Sequence, residues 1–398
     1  MLWDKDKSGI VKSMLLILWG LLSLSLFLYS FTQVDLGLTL TQLPIWQGIQ
    51  KAFQYLGFFN RPLSTQLYLF MLVSFFALYF YTLYGITKKK ITRSLLKKII
   101  LVVTALLLFS YNAFSYDIFN YIFDAKIVTF YHENPYESKA LDFSADPMLG
   151  FMRYIERDYP YGPGWLAISL PISYLGFQYF LVTFYLFKIL MAAAFLGSAF
   201  LIEKIARKTK VIDPLFAVAF FALNPLVLIE SLVSSHNDIV MLFFILLALY
   251  YVVSEKYGRS ILFYLISVSI KFATVFALPM FLYRFFKKHK ERYFDMLVIV
   301  MITAVILAAM RLYFQPWYLM YLLPFIAFRA KKYYFFLPIN MLAFGALLLY
   351  AVYLFHGDVD PEVARLMGQV QDGTVLITIV VTAVVMLVQL IRHKFKSL

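Results

Sequence analysis

Long apolar runs alternate with short polar segments along the whole chain. Most of these runs approach the length of about 20 residues that a helix needs to cross a lipid bilayer. The pattern therefore predicts about ten membrane-spanning helices in an all-α bundle. They are expected near residues 10–31, 65–86, 99–116, 178–202, 214–229, 239–254, 294–310, 317–328, 333–355 and 375–391.

Two apolar segments do not fit this count. Residues 165–175 would rise only about 16 Å as a helix, so we expect an interfacial helix in the outer leaflet. Residues 261–283 lie between basic clusters that include Arg284, Lys287 and Lys288, and they contain Lys271 near the middle. A re-entrant hairpin keeps both basic ends on the cytoplasmic side of the membrane. The alternative is a single span, which would reverse the orientation of all later helices in the membrane.

Three polar segments are expected outside the membrane, at 32–64, 117–164 and 356–374. A connection as long as 117–164 is uncommon without structure of its own. We therefore expect short amphipathic helices on the outer surface and a functional role for this loop.

Composition and charge agree with a membrane protein. Apolar residues make up 62% of the chain and the mean hydropathy is +0.78, which excludes a soluble domain. The net charge of +14 comes mainly from Lys and Arg between the apolar runs, which is typical of cytoplasmic loops and not of nucleic-acid binding. Both termini are then cytoplasmic. Cysteine is absent, so thiols say nothing about redox compartment.

We expect a single membrane domain over 1–398 without internal repeats. It divides into a two-span N-terminal extension at 1–98, a core at 99–330 and C-terminal spans at 331–398. The first apolar run has no small-residue cleavage pattern after it, so we expect an uncleaved helix and no targeting peptide.

The segment that follows the third predicted span carries the main candidate chemistry. Helical spacing places Asp117, Asn120, Tyr121 and Asp124 on one face. Asp117 lies where low dielectric meets water, which suits a carboxylate to act as general base on a hydroxyl. Asp124 is about 10 Å further along such a helix, so one base is the simpler interpretation. The alternative is a solvated amphipathic helix that rests on lipid headgroups.

Aromatic rings and turns follow in the same loop, at Asn134-Pro135-Tyr136 and around Tyr161-Gly162-Pro163. The rings could stack on sugars, and the alternative is an ordinary turn with an aromatic belt. Arg311 lies at an outer membrane edge just before Trp317 and Tyr318, and the alternative there is an interfacial anchor pair of Arg311 and Trp317.

Several polar groups interrupt the later apolar runs. Glu230 precedes Ser234-Ser235-His236-Asn237-Asp238, in which His236 offers a phosphate-binding donor or a proton carrier. The alternative is that Asn237 or Asp238 caps the next helix. Lys271 is expected to meet an anion or water, because an ionised group in an apolar hairpin is costly. Snorkelling is the alternative there, and snorkelling or a helix contact is expected for Lys188.

Other catalytic signatures are absent from the sequence. There is no Gly-rich phosphate loop, no His-Glu metal helix and no GxSxG elbow, and the five histidines are scattered. We therefore predict no metal site and no required cofactor, with metal dependence left open.

In their order along the chain, these residues resemble the GT-C superfamily of membrane glycosyltransferases, specifically its prokaryotic polyprenol-phosphomannose-dependent alpha-mannosyltransferases. The resemblance covers about residues 100–330 and is carried by Asp117, Tyr121, Asn134-Pro135-Tyr136, Tyr161-Gly162-Pro163, Asn224-Pro225, His236-Asn237-Asp238, Lys271 and Pro316-Trp317-Tyr318. Two positions depart from the family pattern. Phe123-Asp124-Ala125-Lys126 lies where a Gly-Arg pair is expected, and Ser235 replaces the glycine before His236.

The resemblance implies a GT-C-like fold and an inverting transfer of a hexose, with mannose favoured, from a polyprenyl-phosphate donor. The acceptor is a glycan or glycolipid hydroxyl at the outer face of a prokaryotic plasma membrane. Asp117 is implied as the general base. The expected donor-binding residues are Lys271, His236, Asn237, Asp238 and Arg311. The expected acceptor- or sugar-binding residues are Tyr121, Asp124, Asn134, Tyr136, Tyr161, Trp317 and Tyr318. Two other functions stay open, a transporter or flippase of lipid-linked sugars and a polymerase or ligase of envelope polysaccharides.

Overall fold

A computed structural model of the chain describes residues 2–282, 290–312 and 314–396. These residues form helices and no strand, which confirms the all-α prediction. The helices are α1 (Leu2–Ser30), α2 (Pro44–Gln54), α3 (Arg61–Thr87), α4 (Arg93–Leu108), α5 (Asp117–Thr129), α6 (Pro163–Leu175), α7 (Phe180–Thr209), α8 (Pro214–Ala222), α9 (Pro225–Leu228), α10 (Asp238–Val253), α11 (Tyr257–Ile270), α12 (Leu278–Leu282), α13 (Lys290–Leu312), α14 (Leu323–Ile326), α15 (Tyr333–His356) and α16 (Pro361–Lys396).

Six of the described helices are long and apolar enough to cross a membrane, namely α1, α3, α7, α13, α15 and α16. A seventh span is formed if α8 is joined to α9 and the π-helical turn Ile229–Val233, which are bent by 55°. The break lies at Leu223-Asn224, just before Pro225, and the Asn224 side chain accepts a hydrogen bond from Leu226 N at 3.0 Å. The polytopic bundle is thus confirmed. At the other three predicted positions the helices are shorter, so ten crossings stay a prediction.

Two predicted boundaries are wrong. Residues 317–328 do not form one continuous span, because the chain makes a 3-10 turn at Pro316–Tyr321 and then the short helix α14, which has Pro324 in its first turn. Proline cannot supply the N–H that would continue the preceding turn. At the C-terminal end, α16 begins at Pro361, so most of the predicted outer segment 356–374 is helical.

The hairpin predicted at 261–283 is confirmed over its described part. After α11, Lys271 is extended and the chain continues as a 3-10 turn at Phe272–Ala277 before α12. The rings of Tyr264 and Phe281 lie 4.9 Å apart, whereas one continuous helix would separate these positions by about 25 Å. The chain therefore turns back at Lys271. Tyr283, Arg284, Lys287 and Lys288 lie outside the described residues.

Lys188 in α7 is a helix contact, and the snorkelling alternative is wrong. Its side chain is buried, and Nζ donates to Ser110 Oγ at 3.1 Å, to Leu232 O and to Val233 O at 3.2 Å. The π-helical turn leaves carbonyl groups without their usual helical partners at this end of the helix. Lys188 donates hydrogen bonds to two of these carbonyl groups. It therefore holds the end of the π-helical turn in place, from which residues 234–237 continue.

Helix α5 is buried inside the protein. Nine of its thirteen residues are buried, which contradicts the alternative of a solvated helix on headgroups. α5 packs against α6, where the rings of Tyr121 and Trp165 lie 5.0 Å apart. The predicted helix at 165–175 is thus present as α6, and its position in the outer leaflet stays a prediction.

Candidate active site

Asp117 is the first residue of α5. The chain leaves α4 at Leu108 and runs through an irregular link before Asp117 N donates to Ser115 Oγ at 3.1 Å. The carboxylate is thus held at a helix N-terminus, where the helix dipole favours negative charge. Its side chain is 15% exposed, so a substrate hydroxyl can reach it.

Tyr121 joins Asp117 to the segment between α9 and α10. Its hydroxyl donates to Asp117 Oδ2 at 3.5 Å and accepts from Asn237 N at 3.2 Å. Because these two residues of α5 are four apart, they lie on the same face of the helix. The face predicted from helical spacing is therefore the one that meets His236-Asn237-Asp238.

His236 lies beside Asp117, with Nε2 3.8 Å from Oδ2 of that carboxylate. Its ring is fully buried and stacks on Trp317, with the ring centroids 4.1 Å apart. Burial alone would lower the pKa of His236, but the contact with Glu230 and the charges of Asp117 and Asp238 raise it above the usual value. The structure thus brings together three residues that are far apart in the sequence.

Lys271 meets an anion, as expected for a charge in an apolar hairpin. Its Nζ donates to both carboxylate oxygens of Asp238, at 2.8 and 2.9 Å. Asp238 is fully buried, while the Lys271 side chain is 23% exposed. An ammonium group has three donors, so Lys271 keeps one for a ligand on its exposed side.

Two glycines hold this hairpin against the start of α6. A Cβ on Gly162 or on Gly164 would collide with Ser269, and Gly162 N donates to Ile270 O at 3.2 Å. The close approach explains why Tyr161-Gly162-Pro163-Gly164 carries glycine at these positions. It also fixes the residue next to Lys271.

The Asn237 side chain is fully buried, and within the described residues neither of its amide atoms has a hydrogen-bond partner. It makes no capping bond to α10, and Asp238 is occupied by Lys271. The capping alternative is therefore wrong for both side chains as the structure has them. Because buried amides are nearly always hydrogen-bonded, Asn237 is suited to bind a ligand.

A row of tyrosine rings leads from the surface to Tyr121. Tyr136 is exposed, and its ring centroid lies 5.0 Å from that of Tyr159. The ring centroids of Tyr159 and Tyr161 are 5.5 Å apart, and those of Tyr161 and Tyr121 are 5.2 Å apart. Asn134 forms the turn before the row, since its side chain accepts a hydrogen bond from Tyr136 N. Its role in sugar binding stays a prediction, whereas the tyrosines connect to the cluster around Asp117.

Comparison with protein-family models identifies a family. Residues 24–287 match the MptA_B family, described as alpha-(1->6)-mannopyranosyltransferase, N-terminal domain. This stretch covers about two thirds of the chain and includes Asp117, His236 and Lys271. The chain belongs to this alpha-mannosyltransferase family. The predicted resemblance to polyprenol-phosphomannose-dependent GT-C enzymes is thereby confirmed. Comparison with curated proteins and with solved structures gave no match.

Two groups close to the candidate site, Arg157 and Glu230, were not assigned a role from the sequence. The Arg157 guanidinium packs over the Tyr154 ring at 5.0 Å. Burial lowers the pKa of Arg157, but Tyr161, Asp117 and Asp124 raise it further than burial lowers it. Arg157 lies in a loop with several charged residues of both signs, so the sequence does not single it out. Glu230 could have been singled out, because an acidic residue within an apolar run is unusual.

Asp124 lies on the same face of α5 as Asp117 and Tyr121. Burial raises the pKa of the Asp124 carboxyl group to about 8. The positive charge of Arg157 lowers this pKa, and the negative charge of Asp117 raises it further. In its protonated form, the Asp124 carboxyl group can donate a hydrogen bond but cannot accept a proton as a base. This favours the single-base interpretation.

Trp317 and Tyr318 belong to the cluster, whereas Arg311 is not joined to it. Trp317 stacks on His236, and the Tyr318 ring lies 5.9 Å from that of Trp317. Arg311 is exposed in the last turn of α13, and no contact between described residues links it to the cluster. Its role in donor binding stays a prediction. Within the same described ranges, no group of three His, Cys, Asp or Glu side chains could hold a metal ion.

Ser235 adopts a backbone conformation that favours glycine, with φ +60°. We expect Ser235→Gly to keep the stability of the mannosyltransferase within about 1 kcal/mol, because the relief of strain offsets the greater freedom of the unfolded chain. Ser235→Val should lose about 2 kcal/mol or more, since a β-branched residue is strained at this φ. Ser235→Ala is the matched control for the hydroxyl. Thermal unfolding in detergent measures the order, and equal stability of the Val and Gly variants would contradict it.

Proposed function

We propose that this mannosyltransferase moves mannose from a polyprenyl-phosphate donor to a hydroxyl of a glycan or glycolipid acceptor at the outer membrane face, with inversion. Family membership supports the sugar and the transfer. One observation carries the assignment of residues: Asp117 lies 3.8 Å from His236, which lies two residues before the Asp238–Lys271 pair. A base and two cationic groups thus belong to one connected cluster.

In the proposed reaction, Asp117 accepts the proton of the acceptor hydroxyl as its oxygen attacks the anomeric carbon of mannose. The bond from that carbon to the phosphate oxygen breaks, and the polyprenyl phosphate leaves with the electron pair. Lys271 and His236 are positioned to stabilise the negative charge that develops on the phosphate. A single displacement of this kind inverts the anomeric centre. Arg157 and Arg311 would add positive charge along the path by which the donor phosphate approaches the site.

An apolar groove supports a lipid donor. A cavity of about 380 Å³ lies among α13, α15 and α16, and Leu319 and Leu322 are part of its lining. Leu319 belongs to the same 3-10 turn as Trp317, which stacks on His236. A polyprenyl chain in this groove would therefore start within one turn of the residues that are proposed to hold its phosphate.

The row Tyr136, Tyr159, Tyr161 and Tyr121 supports a carbohydrate acceptor. Sugar rings present C–H faces that pack on aromatic rings, and the row runs from the exposed Tyr136 toward Asp117. Asn237 and the protonated Asp124 would supply hydrogen bonds to sugar hydroxyls. Trp317 and Tyr318 would close the side that faces the donor.

The proposed location is the plasma membrane of a prokaryote, with the site outside and both termini in the cytoplasm. The clusters of Lys and Arg between spans, such as Lys88, Lys89 and Lys90, support this orientation. The loop that begins at Asp117 then lies on the extracytoplasmic side.

A transfer assay in oriented vesicles tests the proposal. Polyprenyl phosphate carrying mannose is supplied as the α or the β anomer, and a mannoside acceptor that cannot cross the membrane is added outside. We expect right-side-out vesicles to convert only the β donor, to an α product seen by NMR. Transfer from a nucleotide sugar, an α product from the α donor, or activity only in inverted vesicles would contradict the proposal. Movement of the donor across the membrane without transfer would support a flippase instead.

A further inference from the structure

Glu230 is a carboxylate in the interior of the membrane bundle. It lies in the π-helical turn Ile229–Val233, its side chain is fully buried, and the Tyr350 hydroxyl donates to Oε1 at 2.9 Å. Its Oε2 lies 2.9 Å from His236 Nδ1. A buried carboxylate without a positive partner is costly in a protein interior and more so in a membrane. Among the described residues, His236 is the group that forms an ion pair with it.

His236 is thus placed between two carboxylates. Nδ1 faces Glu230 at 2.9 Å, and Nε2 faces Asp117 at 3.8 Å. The backbone supports the same arrangement, because His236 N donates to Glu230 O at 3.0 Å after the chain turns at Ser235. Stacking on Trp317 fixes the plane of the ring. The contact at one ring nitrogen determines which nitrogen is presented to the reaction.

We propose that Glu230 is a positioning residue that fixes the orientation and the positive charge of His236, so that an imidazolium Nε2–H faces Asp117. The inference rests on the function proposed above and adds to it a residue that does not touch the substrate. Glu230 acts through His236, which keeps Asp117 ionised and supplies positive charge beside the departing phosphate.

The charged groups around His236 come from each element packed against it. Asp117 faces it from α5 and Glu230 from the π-helical turn, while Asp238, paired with Lys271, acts on it from the start of α10. The Tyr121 hydroxyl of α5 accepts a hydrogen bond from the neighbouring Asn237 N. Trp317, from the 3-10 turn, is neutral. Of these groups, Glu230 is the carboxylate nearest to the His236 ring, and it is fully buried. The imidazolium form, and with it the activity, is therefore expected to persist to higher pH with Glu230 than without it.

The pH profile of transfer tests the proposal. In Glu230→Gln we expect the alkaline limb of kcat to move to lower pH by about one unit, so that kcat falls about tenfold near pH 8.5 and little near pH 6. Glu230→Asp, which keeps the charge, should lie between Gln and wild type. Glu203→Gln is the matched control, because Glu203 is paired with Arg93 and Arg207 instead. A purely structural role would give a loss that is equal at all pH values, and that result would overturn the proposal.

A second measurement needs no variant of Glu230. NMR of wild-type protein with labelled histidine, with His236→Gln to assign its signal among the five histidines, gives the titration of His236 directly. We expect His236 to titrate above the usual value of about 6.5 for histidine. Titration at or below that value would overturn the inference even if Glu230→Gln does not fold. If wild type transfers no mannose, the proposed function fails, whereas this titration still tests the positive charge of His236 that the role of Glu230 requires.

Discussion

Asp117→Asn is expected to lower kcat for mannose transfer by about 10²- to 10⁴-fold, the range in which a positioned general base contributes. Asparagine has the same shape and can still accept the hydrogen bond from Tyr121, which donates at 3.5 Å, but it cannot take the proton of the acceptor. Because the loss occurs in the chemical step, the affinity for the donor should change little. Single-turnover assays and donor-binding measurements on the purified variant check both expectations.

Asp158→Asn is the matched control for Asp117→Asn. Asp158 lies in the same outer loop, and its side chain is 71% exposed and pairs loosely with Lys139 at 3.9 Å. The control should retain wild-type turnover. Normal turnover of a folded Asp117→Asn variant would remove Asp117 from the mechanism, as would an equal loss in both variants.

Lys271→Met is expected to destabilise the protein by about 3–5 kcal/mol, the cost of leaving one partner of a buried ion pair without the other. Asp238 is fully buried and receives two hydrogen bonds from Lys271, so in this variant its negative charge would have lost its nearest cation. The variant should unfold at a lower temperature in detergent and should bind donor weakly. Thermal unfolding and donor binding measure the two effects separately.

The double variant Lys271→Met with Asp238→Asn separates stability from donor binding. Removing both charges should restore most of the stability, because replacement of a whole buried pair is often neutral. Donor binding should stay weak, since the ammonium group that is proposed to hold the phosphate is still missing. Full donor binding in this double variant would contradict the role of Lys271.

The sequence predicted helix faces wherever polar and apolar residues repeat with the period of a helix. The face of α5 that holds Asp117 and Tyr121 follows from helical spacing alone, and the structure places this face against His236. Lys271 could be predicted as a buried charge with an anionic partner, because a lone ammonium in an apolar hairpin is unfavourable. Asn224-Pro225 was expected within one continuous span at 214–229, so neither the break nor its bend of 55° was predicted.

Other features depend on packing between distant segments. The π-helical turn at Ile229–Val233 has no known pattern in its residues, and without it the short distance between Glu230 and His236 could not be predicted. Arg157 reaches the site from an irregular loop. The length of an apolar run also does not show whether it spans the membrane, since Pro316–Ile326 is apolar because it is buried in protein. The periodicity of a sequence thus predicts which residues share a helix face, but not which distant segment packs against that face.

The most direct test of the central claim is a cryo-EM structure of Asp117→Asn with mannosyl polyprenyl phosphate and a mannoside acceptor. This variant should bind both substrates without turning them over. The account predicts the donor phosphate in contact with Lys271 and His236, and the acceptor hydroxyl within hydrogen-bond distance of residue 117. A donor phosphate held elsewhere, or an acceptor hydroxyl far from residue 117, would contradict it.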